Sequence, residues 1–185
     1  MATTTCQIPK LESLIDYLDS LTHRASVADL RRELEALDDL TVEDVAEYVR
    51  FDERQYLRNL IKGGPWYHLL ALCWRSGQRS PIHNHAQSTC GVRVLKGKLT
   101  ETQFRKTPCG QIAAVGSEDM GVGEVCAMQD AYIHQISNLQ APGQDLITLH
   151  IYSPPLLRMD TYSLTDPTVG QYYPVILEHC EGSGI

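Results

Sequence analysis

The chain has 185 residues, 43% of them hydrophobic, and a formal net charge of −7, which suits one domain with a core large enough to enclose a site. Its Lys and Arg residues are scattered, so no basic stripe offers itself to a phosphate backbone. No apolar run approaches the roughly 20 residues that cross a bilayer, and the opening MATTTCQIPKLESL lacks the charged and apolar regions of a secretory signal. Nucleic acid and membrane are thereby excluded as partners, and the cytoplasm is the expected location.

From Pro9 to about Val49 apolar residues recur at helical spacing, as in Leu11, Leu14, Ile15 and Leu18, then Val27, Leu30, Leu34 and Leu37. Thr41-Val42-Glu43-Asp44 reads as the capped start of a third helix. After Tyr56 the texture changes to short apolar segments: YHLLALCW, GVRVLKG, GEVCAM, YIHQIS and LITLHIY, separated by Gly, Pro, Ser and Asn clusters. That spacing predicts an antiparallel barrel or sandwich. The expected organisation is a single domain over 1–185, mainly β with α, comprising a helical lead-in (1–50), a β-barrel body (51–180) and a flexible tail (181–185).

Cys6, Cys73, Cys90, Cys109, Cys126 and Cys180 are widely spread with no CxxC, so neither a disulfide framework nor a thiolate zinc site is expected. Most of them read as buried, reduced small hydrophobes. Trp66, Tyr67, His68 and Trp74 read as core or rim residues, and His23 and His179 as surface histidines.

His83-Asn84-His85 falls at the end of an expected strand, where residues two apart share a face, so both imidazoles can converge inside a barrel. A bare HxH is equally compatible with surface or satisfied core histidines. The frame around it is more telling. Gly77, five residues, His83-x-His85, four residues, Cys90, six residues and Gly97 reproduce the first cupin motif, with Cys90 where cupins usually carry a glutamate ligand. Gly123, ten residues, His134, three residues and Asn138 follow the second motif, with Gln129 and Ala131 replacing its usual Pro and Gly. His134 is then the third ligand. Three neutral imidazoles leave the full charge on a divalent metal and favour anionic substrates. They also leave positions for a chelating substrate and dioxygen on iron, while three histidines plus water equally describe a zinc site.

In LITLHIYSPP, Thr148, His150 and Tyr152 alternate on one strand, so all three face either the cavity or solvent. With YLRNL (56–60), LCW (72–74), IHNH (82–85), Cys90 and LHIYSPP (149–155), the chain resembles the cysteine dioxygenase family over nearly its whole length. The resemblance implies a small cupin barrel behind a helical segment, a monomer with one Fe(II), and the use of O2 to oxidise L-cysteine to cysteine sulfinic acid in cysteine catabolism. It places the substrate-carboxylate arginine at Arg58, supported by Tyr56 from the same strand face. A related family acting on 3-mercaptopropionate carries glutamine there, so arginine favours cysteine, and cysteamine has no carboxylate to bind. By the same resemblance Tyr152 is the active-site tyrosine, oriented by His150 and Thr148. Cys90 is its partner in a thioether crosslink, with a free, buried Cys90 as the other reading, and Ser153-Pro154 is expected to be cis. Oxidation of another small thiol such as 3-mercaptopropionate, or a zinc-binding cupin, are the alternative functions.

Overall fold

The run YHLLALCW is apolar at consecutive rather than alternate positions, which requires cover on both faces of its strand. The computed structural model, which describes residues 8–129 and 132–178, provides that cover. Cys6, Ala131, His179, Cys180 and the 181–185 tail lie outside the described residues.

Among the described residues two α-helices, α1 (Glu12–Asp19) and α2 (Val27–Glu35), precede eleven strands. In chain order the first six are β1 (Leu57–Gly64), β2 (Tyr67–Trp74), β3 (Ile82–His83), β4 (Thr89–Lys96), β5 (Leu99–Lys106) and β6 (Ile112–Met120). They are followed by β7 (Val125–Gln129), β8 (Ile133–Ser137), β9 (Leu146–Ser153), β10 (Met159–Tyr162) and β11 (Gly170–Tyr172). One sheet has the order β1-β2-β9-β4-β7, and the other β11-β10-β3-β8-β5-β6. The neighbouring strands pair antiparallel. The sheets face each other through Leu70, Leu72, Val92 and Val94 on one side and Leu99, Ile136 and Met159 on the other. The expected barrel is thus two open sheets joined by side chains, not one closed ring of backbone hydrogen bonds.

The alternate positions of the first sheet, Leu69, Ala71, Cys73, Ile147, Leu149 and Ile151, point outward into a second core built with Leu11, Leu14, Ile15, Leu18, Leu30 and Leu34. This explains why every residue of β9 is buried. Helix α2 opens on Ser26, whose hydroxyl accepts from the Asp29 N–H at 3.0 Å, a cap worth about 1 kcal/mol. The lead-in is also stitched to the sheet at Ala25, which donates to Ser153 Oγ at 2.9 Å and accepts from Thr89 Oγ1 at 2.8 Å. Thr89 and Ser153 are directly opposed on β4 and β9.

The expected third helix is a six-residue 3₁₀ segment, Glu43–Tyr48, kinked at Val45. Six residues provide too few i to i−4 bonds to offset helix nucleation. Thr41 does not cap it. Instead the Asp44 carboxylate reaches back to the Thr41 N–H (2.8 Å) and hydroxyl (2.7 Å) and to Lys10 Nζ (3.0 Å), which holds its pKa down to about 2. Cys73 and Cys90 are buried and Cys126 is half-buried, but Cys109 is exposed in the β5–β6 turn, contrary to the expectation of a structural thiol.

Gly91 on β4 lies directly under α2. A Cβ there would come within 2.7 Å of Leu34 Cδ1 and 3.3 Å of Leu30 Cβ, so added bulk would force both leucines to shift. Gly91→Ala is expected to lower unfolding free energy by about 1–3 kcal/mol through overpacking. Urea denaturation checks this, and an unchanged midpoint would contradict direct helix-on-glycine docking.

Candidate metal centre

His83 and His134 are opposed in register on β3 and β8, and His85 lies just past the end of β3. The two imidazoles of the HxH nonetheless converge, as residues two apart are expected to, although β3 itself ends at His83. Asn84 Nδ2 donates to the Tyr162 hydroxyl at 3.0 Å and to Asp160 Oδ2 at 3.3 Å. Its Oδ1 accepts from the Ala86 N–H at 3.2 Å and the Asp160 N–H at 3.3 Å. Ala86 and Gln87 then take positive φ values of 41° and 79°, a conformation L-residues seldom adopt, so the chain turns sharply just after His85.

The three rings converge, with one nitrogen from each within 4.8 Å of the others. His83 Nδ1 pairs with Pro81 O at 2.9 Å and His134 Nδ1 with Glu101 Oε1 at 2.5 Å. Both partners are acceptors, which fixes hydrogen on Nδ1 and leaves Nε2 as a lone-pair donor aimed inward. His85 Nε2 lies 3.1 Å from His134 Nε2. Buried, neutral imidazoles presenting lone pairs to one point are a donor set suited to a divalent transition metal. Burial, reinforced by the neighbouring histidines, holds His83 and His85 well below the usual imidazole pKa, so protons compete poorly for those lone pairs.

Thr148, His150 and Tyr152 all point inward from β9 and form a buried chain. Trp74 Nε1–H donates to Thr148 Oγ1 at 3.1 Å, Thr148 Oγ1 meets His150 Nε2 at 2.9 Å, and His150 Nδ1 meets the Tyr152 hydroxyl at 3.1 Å. Indole can only donate. With the hydrogens running from Trp74 through Thr148 and His150 to the Tyr152 oxygen, each of those donors is satisfied, and the phenolic hydrogen is left for Cys90 or the cavity. Cys90 stands directly opposite Tyr152 across β4 and β9. Burial pushes both the thiol and the phenol well above their usual pKa ranges, against an opposing pull from Arg58, so both stay protonated.

Arg58, on β1, is 4% exposed. Its Nε and Nη2 have no partner, and its guanidinium carbon sits 4.9 Å over the Tyr152 ring. Tyr56 precedes β1 rather than sharing its strand, and it reaches the cavity by stacking on Trp74 with ring centroids 4.0 Å apart. Arg58, Tyr56, Tyr152, Cys90, His150 and the three histidines all line one cavity between the sheets. The C-terminal segment runs along the free edge of β1, where Leu177 exchanges backbone hydrogen bonds with Leu60 (2.8 Å) and Arg58 (2.9 Å). The Ser153–Pro154 peptide bond is cis.

Sequence reasoning missed Glu101 and gave no role to Trp74 or Asn84. For Glu101 the signal was present: Leu99, Glu101 and Gln103 alternate along LTETQF, so a carboxylate shares a face with a core leucine.

The family model described as cysteine dioxygenase type I matches residues 3–165. The cysteine dioxygenase type 1 of Bos taurus is 29% identical over 181 residues, covering 86% of this chain and 88% of that protein. That of Danio rerio is 32% identical over 127 residues, covering 65% of this chain and 62% of its own. Among solved structures, an uncharacterised Klebsiella pneumoniae protein with a double-stranded β-helix domain superposes with a TM-score of 0.51 at 15% identity, over 70% of this chain and 88% of that one. A Thermus thermophilus protein does so with a TM-score of 0.51 at 13% identity, over 62% and 98%. These two likenesses show the fold, the double-stranded β-helix of cupins.

The buried histidines also set a pH dependence. Burial and Arg58 keep His150 well below the usual imidazole range, as burial does His83 and His85, so the folded state leaves these rings neutral while the unfolded chain protonates them below about pH 6.5. Stability of metal-free protein is therefore lost as pH falls through that value, by up to about 1.4 kcal/mol per pH unit for each ring. Urea midpoints between about pH 7.5 and 5.5 should fall, less steeply in His150→Gln, and a flat profile would contradict neutral burial.

Proposed function

Because the chain belongs to the cysteine dioxygenase type I family, we propose that it oxidises the sulfur of free L-cysteine to the sulfinate with O2, using one Fe(II) held by His83, His85 and His134. Among the side chains lining the cavity, the observation that carries this reading is Arg58: a buried guanidinium, with two nitrogens lacking any partner, beside a cluster of three inward-facing imidazoles. A buried cation without a counter-charge is costly. A substrate carboxylate supplies that counter-charge in the bidentate geometry guanidinium favours.

Iron would supply activation of dioxygen and an electrophilic seat for a thiolate. The protein's own groups do the rest. Arg58 binds the carboxylate and so sets where the sulfur lies, and Tyr56, stacked on Trp74, limits the room beside it. The hydrogen-bonded chain behind Tyr152 holds its hydroxyl where it can donate to oxygen or to the carboxylate. Taking a thiolate to a sulfinate removes four electrons, which full reduction of one O2 consumes, so no organic reductant is required.

We also propose that turnover joins Cys90 to Tyr152. The opposed register of the two residues supports it. The S–H bond and one ring C–H bond would break, a C–S bond would form, and the two electrons and two protons would go to dioxygen.

Metal-free protein loaded anaerobically with Fe(II), then given cysteine and air, should consume O2 and yield cysteine sulfinate carrying two atoms of supplied oxygen. Zinc retention as isolated, with no thiol-dependent O2 uptake after iron loading, would overturn the reading. Arg58→Gln should lower kcat/KM for cysteine by roughly 30- to 150-fold, the equivalent of about 2–3 kcal/mol for a lost charge-assisted contact. An unchanged value, or a better substrate in 3-mercaptopropionate or cysteamine, would remove the case for cysteine. For the crosslink, mass spectrometry after many turnovers should find a product lighter by about two hydrogens, a change lost in Cys90→Ala. Wild-type protein of unaltered mass would make Cys90 a free, packed thiol.

A further inference from the structure

The reaction above leaves one buried carboxylate unused. Glu101, on the inner face of β5, is 5% exposed. Its Oε1 accepts from His134 Nδ1 at 2.5 Å and its Oε2 from the Tyr132 hydroxyl at 3.1 Å. Among the described residues, neither lysine nor arginine pairs with it; the ring beside it is that of His134. A carboxylate taken out of water needs compensation beyond two hydrogen bonds, and the next place a cation can sit is on the far nitrogen of His134.

The three rings differ in what stands behind them. His83 is backed by a neutral carbonyl, His85 Nδ1 by no partner, and His134 by a full negative charge. A ring whose Nδ1–H is drawn toward a carboxylate is fixed in orientation and is a stronger donor through Nε2.

Resting on the proposed metal-dependent function, we propose that Glu101 is the positioning residue of the centre, restoring through His134 the negative charge that Cys90 withholds by standing where cupins carry a glutamate. The carboxylate sits one ring further out, so it lowers the charge of the site without occupying a position that substrate or O2 would use. Its placement follows from register: Gln103 opposes His134 and Glu101 opposes Ile136, which puts Glu101 on the diagonal to His134 on the same inner face.

Glu101→Gln separates charge from shape, since its amide oxygen can still accept from His134. Metal-free protein is titrated with Fe(II), and separately with Co(II), by competition against a chelator, with circular dichroism as the folding control. The expected result is binding weakened by roughly 10- to 100-fold, an altered Co(II) visible spectrum and a more positive iron reduction potential. A folded Glu101→Gln protein with wild-type affinity, spectrum and potential would overturn the inference. If wild-type protein binds neither metal at the three histidines, the functional reading falls first and this inference with it. An arm independent of any variant uses Zn(II)-loaded wild type: the His134 Nδ1 proton should resonate far downfield of those on His83 and His85. Equivalent shifts for the three protons would refute the charged contact.

Discussion

The side chains lining the space between the two sheets are buried, and a polar group placed there needs a partner. That constraint organises the interior. Trp74, Thr148, His150 and Tyr152 satisfy one another in a line, and Glu101 is answered by His134 and Tyr132. Arg58 Nε and Nη2 and His85 Nδ1 are without partners, and the Arg58 charge is unmatched by any acidic group lining the same cavity.

Rigidity at the cavity comes from the outer face of the same sheet. Because α1, α2 and the residues between them cover that face, the central strand β9 is packed on both sides and held between β2 and β4. The stitch through Ala25 ties the lead-in to Thr89 and Ser153, the immediate neighbours of Cys90 and Tyr152. The helical segment thus braces the strand pair that carries the site. The same register that opposes Cys90 and Tyr152 leaves the second sheet to carry His83, His134 and Glu101, so the candidate ligands and the hydrogen-bonding wall arrive from opposite sides.

Much of this was legible in the chain. Consecutive apolar residues announced strands buried on both faces, alternation in LITLHIY grouped Thr148, His150 and Tyr152, and glycine spacing around the histidines pointed to a cupin. Local rules failed where longer-range contacts outweighed them. Thr41 resembles a helix cap, yet Asp44 uses it as a hydrogen-bond donor in a 3₁₀ turn. His83 and His85 converge as alternation implies, yet β3 ends at His83 and the chain turns just after His85, where Asn84 holds the Ala86 N–H and Ala86 and Gln87 take positive φ.

By itself the sequence determined the residue types and their periodicity: which side chains can ligate a metal, which strand carries a phenol behind an imidazole, and that Cys90 replaces a carboxylate. Only the tertiary structure decided what stands behind each ligand. Periodicity acts within a strand, whereas partnership between β5 and β8, or between β1 and β9 across β2, depends on strand order and register. Those are set by burial of the whole sheet, and for that reason the bond from Glu101 to His134 and the solitude of Arg58 became visible only in three dimensions.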